Sequence, residues 1–151
     1  MSSTRIRSPE VRLREVRDED LPLIFEFQRE PESVAMVGIG TRDREEFDAH
    51  WARIRVDRGT VLRTICADGA VAGWAVSFPL EGRTMAGYWL GRAFWGRGIA
   101  SVSLSLLLGE VDERPLWATV LAENTASRRV LEKNGFDVAD VGEEEVLYVL
   151  G

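Results

Sequence analysis

Between residues 61 and 100 the hydrophobic period of the chain changes from two to about 3.6 across a glycine-spaced loop, and few architectures accommodate that switch. Val61, Leu62, Ile65, Cys66 and Ala67 read as a strand. Asp68-Gly69 is a tight-turn signal, and Val71 to Phe78 is the antiparallel partner. Residues 79 to 83, Pro-Leu-Glu-Gly-Arg, read as another turn, and Thr84 to Leu90 as a third strand. Gly91 to Gly98 then leads into a helix from Ile99 to Val111, followed by a strand from Leu116 to Leu121. Hairpins make antiparallel neighbours and helical crossovers make parallel ones, so the sheet must be mixed.

The flanking segments fit the same plan. Val11, Leu13 and Glu15 alternate with Arg12, Arg14 and Val16 as a first strand. Asp18 reads as the N-cap of a helix carrying Leu21, Leu23, Ile24, Phe25 and Phe27 and ending near Pro31. Residues 32 to 40 read as a loop, and Phe47, Trp51 and Ile54 mark a second helix from Arg42 to Asp57. A helix from Asn124 to Asn134 is capped at Gly135. Val138 to Val141 and Val146 to Leu150 are two last strands separated by Gly142. The expected class is α+β, a mixed, mostly antiparallel sheet with flanking helices. Residues 1–9 read as a loose tail and 10–151 as one domain, long enough to bury a core without staples.

Composition removes several functions. Nineteen basic and 25 acidic residues leave a formal charge of −6, against a general nucleic-acid binder. One cysteine, Cys66, and one histidine, His50, leave neither a disulfide, nor a Cys-rich or His-based metal site, nor a Ser-His-Asp triad to be expected. No apolar run approaches a membrane span, and Met1 to Pro9 has no signal-peptide core, so a cytoplasmic setting away from membranes is expected.

The segment that carries chemistry is Gly87-Tyr88-Trp89-Leu90-Gly91-Arg92-Ala93-Phe94-Trp95-Gly96-Arg97-Gly98-Ile99-Ala100. A strand ends, a short loop follows, and the loop opens a helix. Helix N-termini leave N–H groups unpaired and carry partial positive charge, and glycines let a ligand approach them. Such a turn suits a pyrophosphate, although a strand-to-helix turn of this kind also occurs without a ligand. Neither Gly-x-Gly-x-x-Gly opening a first βαβ unit nor Gly-Lys-Ser/Thr is present, which argues against a dinucleotide oxidoreductase or an NTPase.

Together with Asn124, Ser127, Gly135 and Phe136, this segment resembles the GNAT superfamily of acyl-coenzyme A N-acyltransferases, in particular the group typified by ribosomal-protein alanine N-acetyltransferases of the RimJ/RimL type. The family's Q/R-x-x-G-x-G/A signature lies on Trp95 to Ala100, and its Asn-x-x-Ser…Gly-Phe signature on Asn124 to Phe136. The resemblance implies that acetyl-CoA is the cosubstrate, with no metal. It implies that backbone N–H groups around Gly96, Arg97, Gly98, Ile99 and Ala100 hold the pyrophosphate. Leu90 and Gly91 would lie where two strands splay to admit pantetheine, with a backbone N–H near Leu90 facing the thioester oxygen. Asn124 would touch the pantetheine arm or leaving group, with Ser127 near the thiol or phosphate. The acceptor would be a small-molecule or peptide amine, and the assembly a monomer or homodimer. A non-catalytic acyl-CoA sensor or interaction module is the alternative.

Two family features are missing. Thr84-Met85-Ala86-Gly87 holds no carboxylate where the family often has a glutamate base, and Leu131 stands where many members have a tyrosine acid. Trp95 replaces the usual Gln or Arg and reads as a platform aromatic. Glu123, Glu81 and Tyr88 are the substitute acid–base candidates; both glutamates read equally as solvated loop carboxylates, and Tyr88 could point to the core. Without a strong base, direct aminolysis favours an amine of low pKa.

Overall fold

A computed structural model describes residues 8–32 and 42–151. Among these, seven strands form one sheet: β1 (Val11–Glu15), β2 (Val61–Ala67), β3 (Ala70–Leu80), β4 (Arg83–Leu90), β5 (Leu116–Leu121), β6 (Asp137–Val141) and β7 (Glu145–Leu150). Their spatial order is β1-β2-β3-β4-β5-β7-β6. All neighbours are antiparallel except β4 and β5. Among the described residues the sheet is flanked by α1 (Leu21–Arg29), α2 (Arg44–Val56), α3 (Ile99–Glu110) and α4 (Thr125–Lys133). The mixed, mostly antiparallel sheet is therefore the one the hairpins and crossover require. Of the expected loop at 32–40, all but Glu32 lies outside the described residues, as do the first seven residues of the expected tail.

Both hairpins turn on two residues. Asp68 and Gly69 have φ of 50° and 83°, and Glu81 and Gly82 have 49° and 80°, the left-handed pairs that match strand twist. The second turn is shorter than the five residues expected, because Pro79 and Leu80 pair with Thr84 and Arg83. Proline is tolerated there because β2 stops pairing at Ser77, so the missing N–H falls on an open edge.

The expected cap at Asp18 is displaced. Asp18–Asp20 forms a 3-10 turn, and α1 begins only at Leu21. The structural acid is Asp20, 1% exposed. Its carboxylate accepts two hydrogen bonds from Arg14 (2.7 and 2.8 Å), one from the Arg17 N–H (2.8 Å) and one from the Thr64 hydroxyl (2.8 Å). Burial pushes this carboxyl up, but the four donors outweigh it and hold it at about 2, against an ordinary 3.8. Stability from this group is complete above the ordinary value and is lost as pH falls through about 2. Acid titration of urea unfolding should show a loss of about 2 kcal/mol across that window, absent in Asp20→Asn.

The sheet buries both faces. Ile65, Leu116 and Tyr148 of the sheet pack with Leu104 and Leu107 of α3 and Leu131 of α4. Ile24, Phe25, Phe47, Trp51 and Leu62 pack beneath α1 and α2. On this second face the rings of Phe25, Phe47, Trp51, Trp74 and Trp89 touch in series, with centroids 5.2 to 5.4 Å apart. Each such ring contributes roughly 1.5–3 kcal/mol by burial.

β4 and β5 pair only at Thr84↔Leu116 and Met85↔Trp117. Beyond these positions they part, while β5 stays on β7 as far as Leu121↔Glu145. A bulge in β3 accompanies the parting: Ile65 and Cys66 face Gly73 and Val71, leaving Ala72 as the extra residue. The Ala72 carbonyl accepts the Gly91 N–H at 2.8 Å, which ties the end of β4 to β3. Gly73 makes that approach possible, since a β-carbon there would lie 1.9 Å from the Trp89 carbonyl oxygen.

Candidate active site

The first turn of α3 leaves its amides open. Gly98 is the N-cap in the left-handed conformation, with φ 77°, and no side chain caps the helix. Val102 is the first residue whose N–H closes on the turn, to the Gly98 carbonyl at 3.3 Å. Among the described residues no acceptor meets the N–H groups of Gly98, Ile99, Ala100 or Ser101. A β-carbon at Gly96 or Gly98 would find nothing within 4 Å, so the loop leaves open space beside this turn. Four unpaired donors on the positive end of a helix dipole form a main-chain anion site.

The amides open onto a cleft of about 350 Å³ between the end of β4 and α4. Tyr88 and Leu90 form one wall, Gly96 and Gly98 to Ser101 the top, and Asn124, Ser127, Arg129 and Lys133 the α4 side. Antiparallel ladders alternate, and the Gly91 N–H points to β3. The Leu90 and Tyr88 backbone groups accordingly point the other way, to the edge that β5 has left. The indole N–H of Trp95, 38% exposed, donates to the Leu90 carbonyl at 3.1 Å and pins the loop on the strand end. Trp95 thus acts on the cleft through the backbone of Leu90.

Across the gap, Asn124 caps α4 by accepting the Ser127 N–H at 3.1 Å. The Ser127 hydroxyl lies 2.6 Å from the Tyr88 hydroxyl, a bridge from β4 to α4 over the parted strands. Burial raises the Tyr88 phenol above its usual range, although the Ser127 bond opposes the shift. The phenol is therefore protonated at neutral pH. Gly135 and Phe136 end α4 in a Schellman motif, with the Phe136 N–H on the Leu131 carbonyl and the Gly135 N–H on the Glu132 carbonyl, both at 3.1 Å. The Asn134 amide then donates to the Ser101 carbonyl at 3.2 Å and couples the end of α4 to the open turn of α3.

The structure brings together at this cleft Tyr88, Leu90, Trp95, Gly96, Gly98, Ile99, Ala100, Asn124 and Ser127. Gly91, Arg97 and Glu123 do not line it. The Gly91 amide is spent on Ala72, and a β-carbon at Gly91 would strike the Phe27 ring at 2.7 Å. Arg97 sits over Phe94 and 4.0 Å from Asp68. Glu123 is exposed, and its carbonyl accepts the Thr125 N–H. Glu81 lies at the hairpin tip, at the far end of β4 from Leu90, roughly 25–30 Å of extended chain away. Ser101, Arg129 and Lys133 line the cleft without having been singled out in the sequence. Ala126, Arg129, Val130 and Lys133 fall at helical spacing on one face of α4, a signal present in the residues themselves.

Among the described residues no cluster of His, Cys, Asp or Glu could hold a metal, and no helix is long and apolar enough to cross a membrane. No curated protein sequence matches the chain. The GNAT acetyltransferase from Bacillus anthracis superposes with a TM-score of 0.80 at 18% identity, covering 96% of each chain. The RimL ribosomal L7/L12 alpha-N-protein acetyltransferase in complex with coenzyme A gives 0.77 at 21% identity, covering 93% of each chain. Mycobacterium smegmatis RimJ in complex with CoA-disulfide gives 0.75 at 22% identity, covering 93% of this chain and 81% of that one. These neighbours show the fold, and residues 10–137 match the model of the acetyltransferase (GNAT) domain. With a sheet parted at β4 and β5 and open amides heading α3, this chain belongs to the GNAT acetyltransferase family.

Proposed function

We propose that the protein transfers an acetyl or other short acyl group from acyl-CoA to an amine of low pKa, by direct attack in a ternary complex. The observation that carries this reading is the run of unclaimed amides from Gly98 to Ser101 above a cleft between α4 and the end of β4, where β5 has parted from it. These amides would take the diphosphate, and Arg129 and Lys133 on the rim suit a further phosphate. When bound, acyl-CoA supplies the activated carbonyl.

The Tyr88 and Leu90 N–H groups at the open edge would stabilise the oxyanion as the amine nitrogen bonds to the carbonyl carbon. Collapse breaks the C–S bond and leaves the electron pair on sulfur. The attacking amine must lose a proton and the sulfur must gain one. The Tyr88–Ser127 pair, either member of which can donate, can relay that proton, so the balance closes without a carboxylate. Tyr88→Phe breaks the relay and should lower kcat by about 10- to 100-fold, with KM for acetyl-CoA within about threefold.

Among the described residues no carboxylate lines the cleft, and this supports an acceptor of low pKa. At pH 7 an α-amine near pKa 8 is about one tenth neutral, and a lysine amine near 10.4 only about one part in a few thousand. The difference costs lysine about 3 kcal/mol more. Peptide α-amines should therefore react at least about 100-fold faster than matched lysine side chains at pH 7, in a thiol-release assay with products identified by mass spectrometry. Faster lysine acetylation would refute the reading. The same lack of a carboxylate favours an acyl-CoA sensor as the second reading, and tight CoA binding without turnover on any amine would select it.

A further inference from the structure

A second cavity of about 90 Å³ lies deeper between β4 and β5 and shares Tyr88, Asn124 and Ser127 with the main cleft. Besides these three, its walls are Ala86 and Gly87 on β4, residues 118–121 on β5, Leu104 on α3 and Leu131 on α4. Ala86, Gly87 and Ala118 keep the wall side chains short, and a β-carbon at Gly87 would meet nothing within 4 Å. No charged side chain lines the cavity among the described residues.

We propose that this chamber receives the acyl group and makes the protein an acyltransferase for unbranched, uncharged chains of three to five carbons rather than for acetyl alone. The proposal rests on the acyl-CoA reading above. A thioester oxygen at the Tyr88 and Leu90 amides directs the acyl chain away from the α3 turn, towards Ala86 and the point where β4 and β5 rejoin. The chamber volume is about three times a water molecule's share of liquid volume, and a methylene occupies a similar space. An acetyl methyl leaves most of that uncharged space unfilled, whereas a butyryl chain fills it against Leu104, Ala118 and Leu131. Succinyl or malonyl groups would bring a carboxylate into walls without a cation. Each methylene that the chamber buries is worth about a fourfold gain.

The test is kcat/KM for acetyl-, propionyl-, butyryl-, octanoyl- and succinyl-CoA with one peptide amine, using the full chain. Propionyl- or butyryl-CoA should exceed acetyl-CoA by about fourfold or more, and octanoyl- and succinyl-CoA should fall below butyryl-CoA. Leu131→Phe fills the chamber and should lower the butyryl-to-acetyl ratio at least about tenfold. Leu131→Ala enlarges it and should raise the octanoyl-to-butyryl ratio, which keeps the test intact if the bulkier variant fails to fold. Acetyl-CoA outperforming both propionyl- and butyryl-CoA would overturn the chamber while leaving the function standing. Absence of thermal stabilisation by any acyl-CoA would remove the function and the chamber together.

Discussion

Replacing Gly98 with Trp is expected to weaken coenzyme A binding by about 100-fold or more while the fold survives. The reasoning separates ligand from scaffold. A β-carbon at Gly98 meets nothing within 4 Å, so the indole has room to enter the space above the open amides. The φ of 77° costs a non-glycine residue about 1–2 kcal/mol, which the fold can bear. Hydrogen bonds from amides to a charged group contribute about 1.5–3 kcal/mol each, so blocking two removes roughly 3–6 kcal/mol of affinity. Calorimetric titration with coenzyme A and thermal unfolding of the same sample read the two effects independently. Unchanged affinity in the folded variant would mean that the anion is held elsewhere.

The second large effect concerns the scaffold. Gly73→Ala is expected to destabilise the protein by about 4 kcal/mol or more, read as a fall in the urea midpoint. The added carbon would lie 1.9 Å from the Trp89 carbonyl oxygen, 2.9 Å from its carbon and 3.0 Å from the Leu90 α-carbon. All three contacts are backbone, so no side-chain rotation relieves them. β3 and β4 would have to separate at Gly73↔Leu90, the pair next to the Ala72–Gly91 hydrogen bond. Gly87→Ala provides the contrast, because its β-carbon meets no atom within 4 Å. A loss below about 1 kcal/mol in Gly73→Ala would contradict the close packing of these strands.

How much of this was legible beforehand follows from the range of the forces involved. The Asp68-Gly69 turn and the open start of α3 depend on local backbone geometry, and glycine spacing reports it directly. The Gly135-Phe136 helix end is equally local. The second turn is three residues shorter than its local signal implies because Pro79 is a turn residue by habit, and its place on an unpaired edge is set by where β2 stops. Asp18 and Asp20 are alike in sequence. Only the arrival of Arg14 and Thr64 from β1 and β2 makes Asp20 the buried acid. The bridge from Tyr88 to Ser127 joins residues 39 apart in the chain, and no local pattern encodes it. Gly91 carries a family-like position, yet its amide answers to the β3 bulge, a property of strand pairing. Glu123 sits next to Asn124 in sequence, but the turn into α4 sends it to solvent.

The central claim is that main-chain amides at the head of α3 grip a diphosphate and set a thioester between β4 and β5. Solving the complex with coenzyme A tests it most directly. The account predicts diphosphate oxygens about 3 Å from the nitrogens of at least two of Gly98, Ile99, Ala100 and Ser101, with the thiol beside Tyr88 and Ser127. Coenzyme A bound outside this cleft, or a diphosphate held by side chains alone with those amides still unbonded, would contradict it.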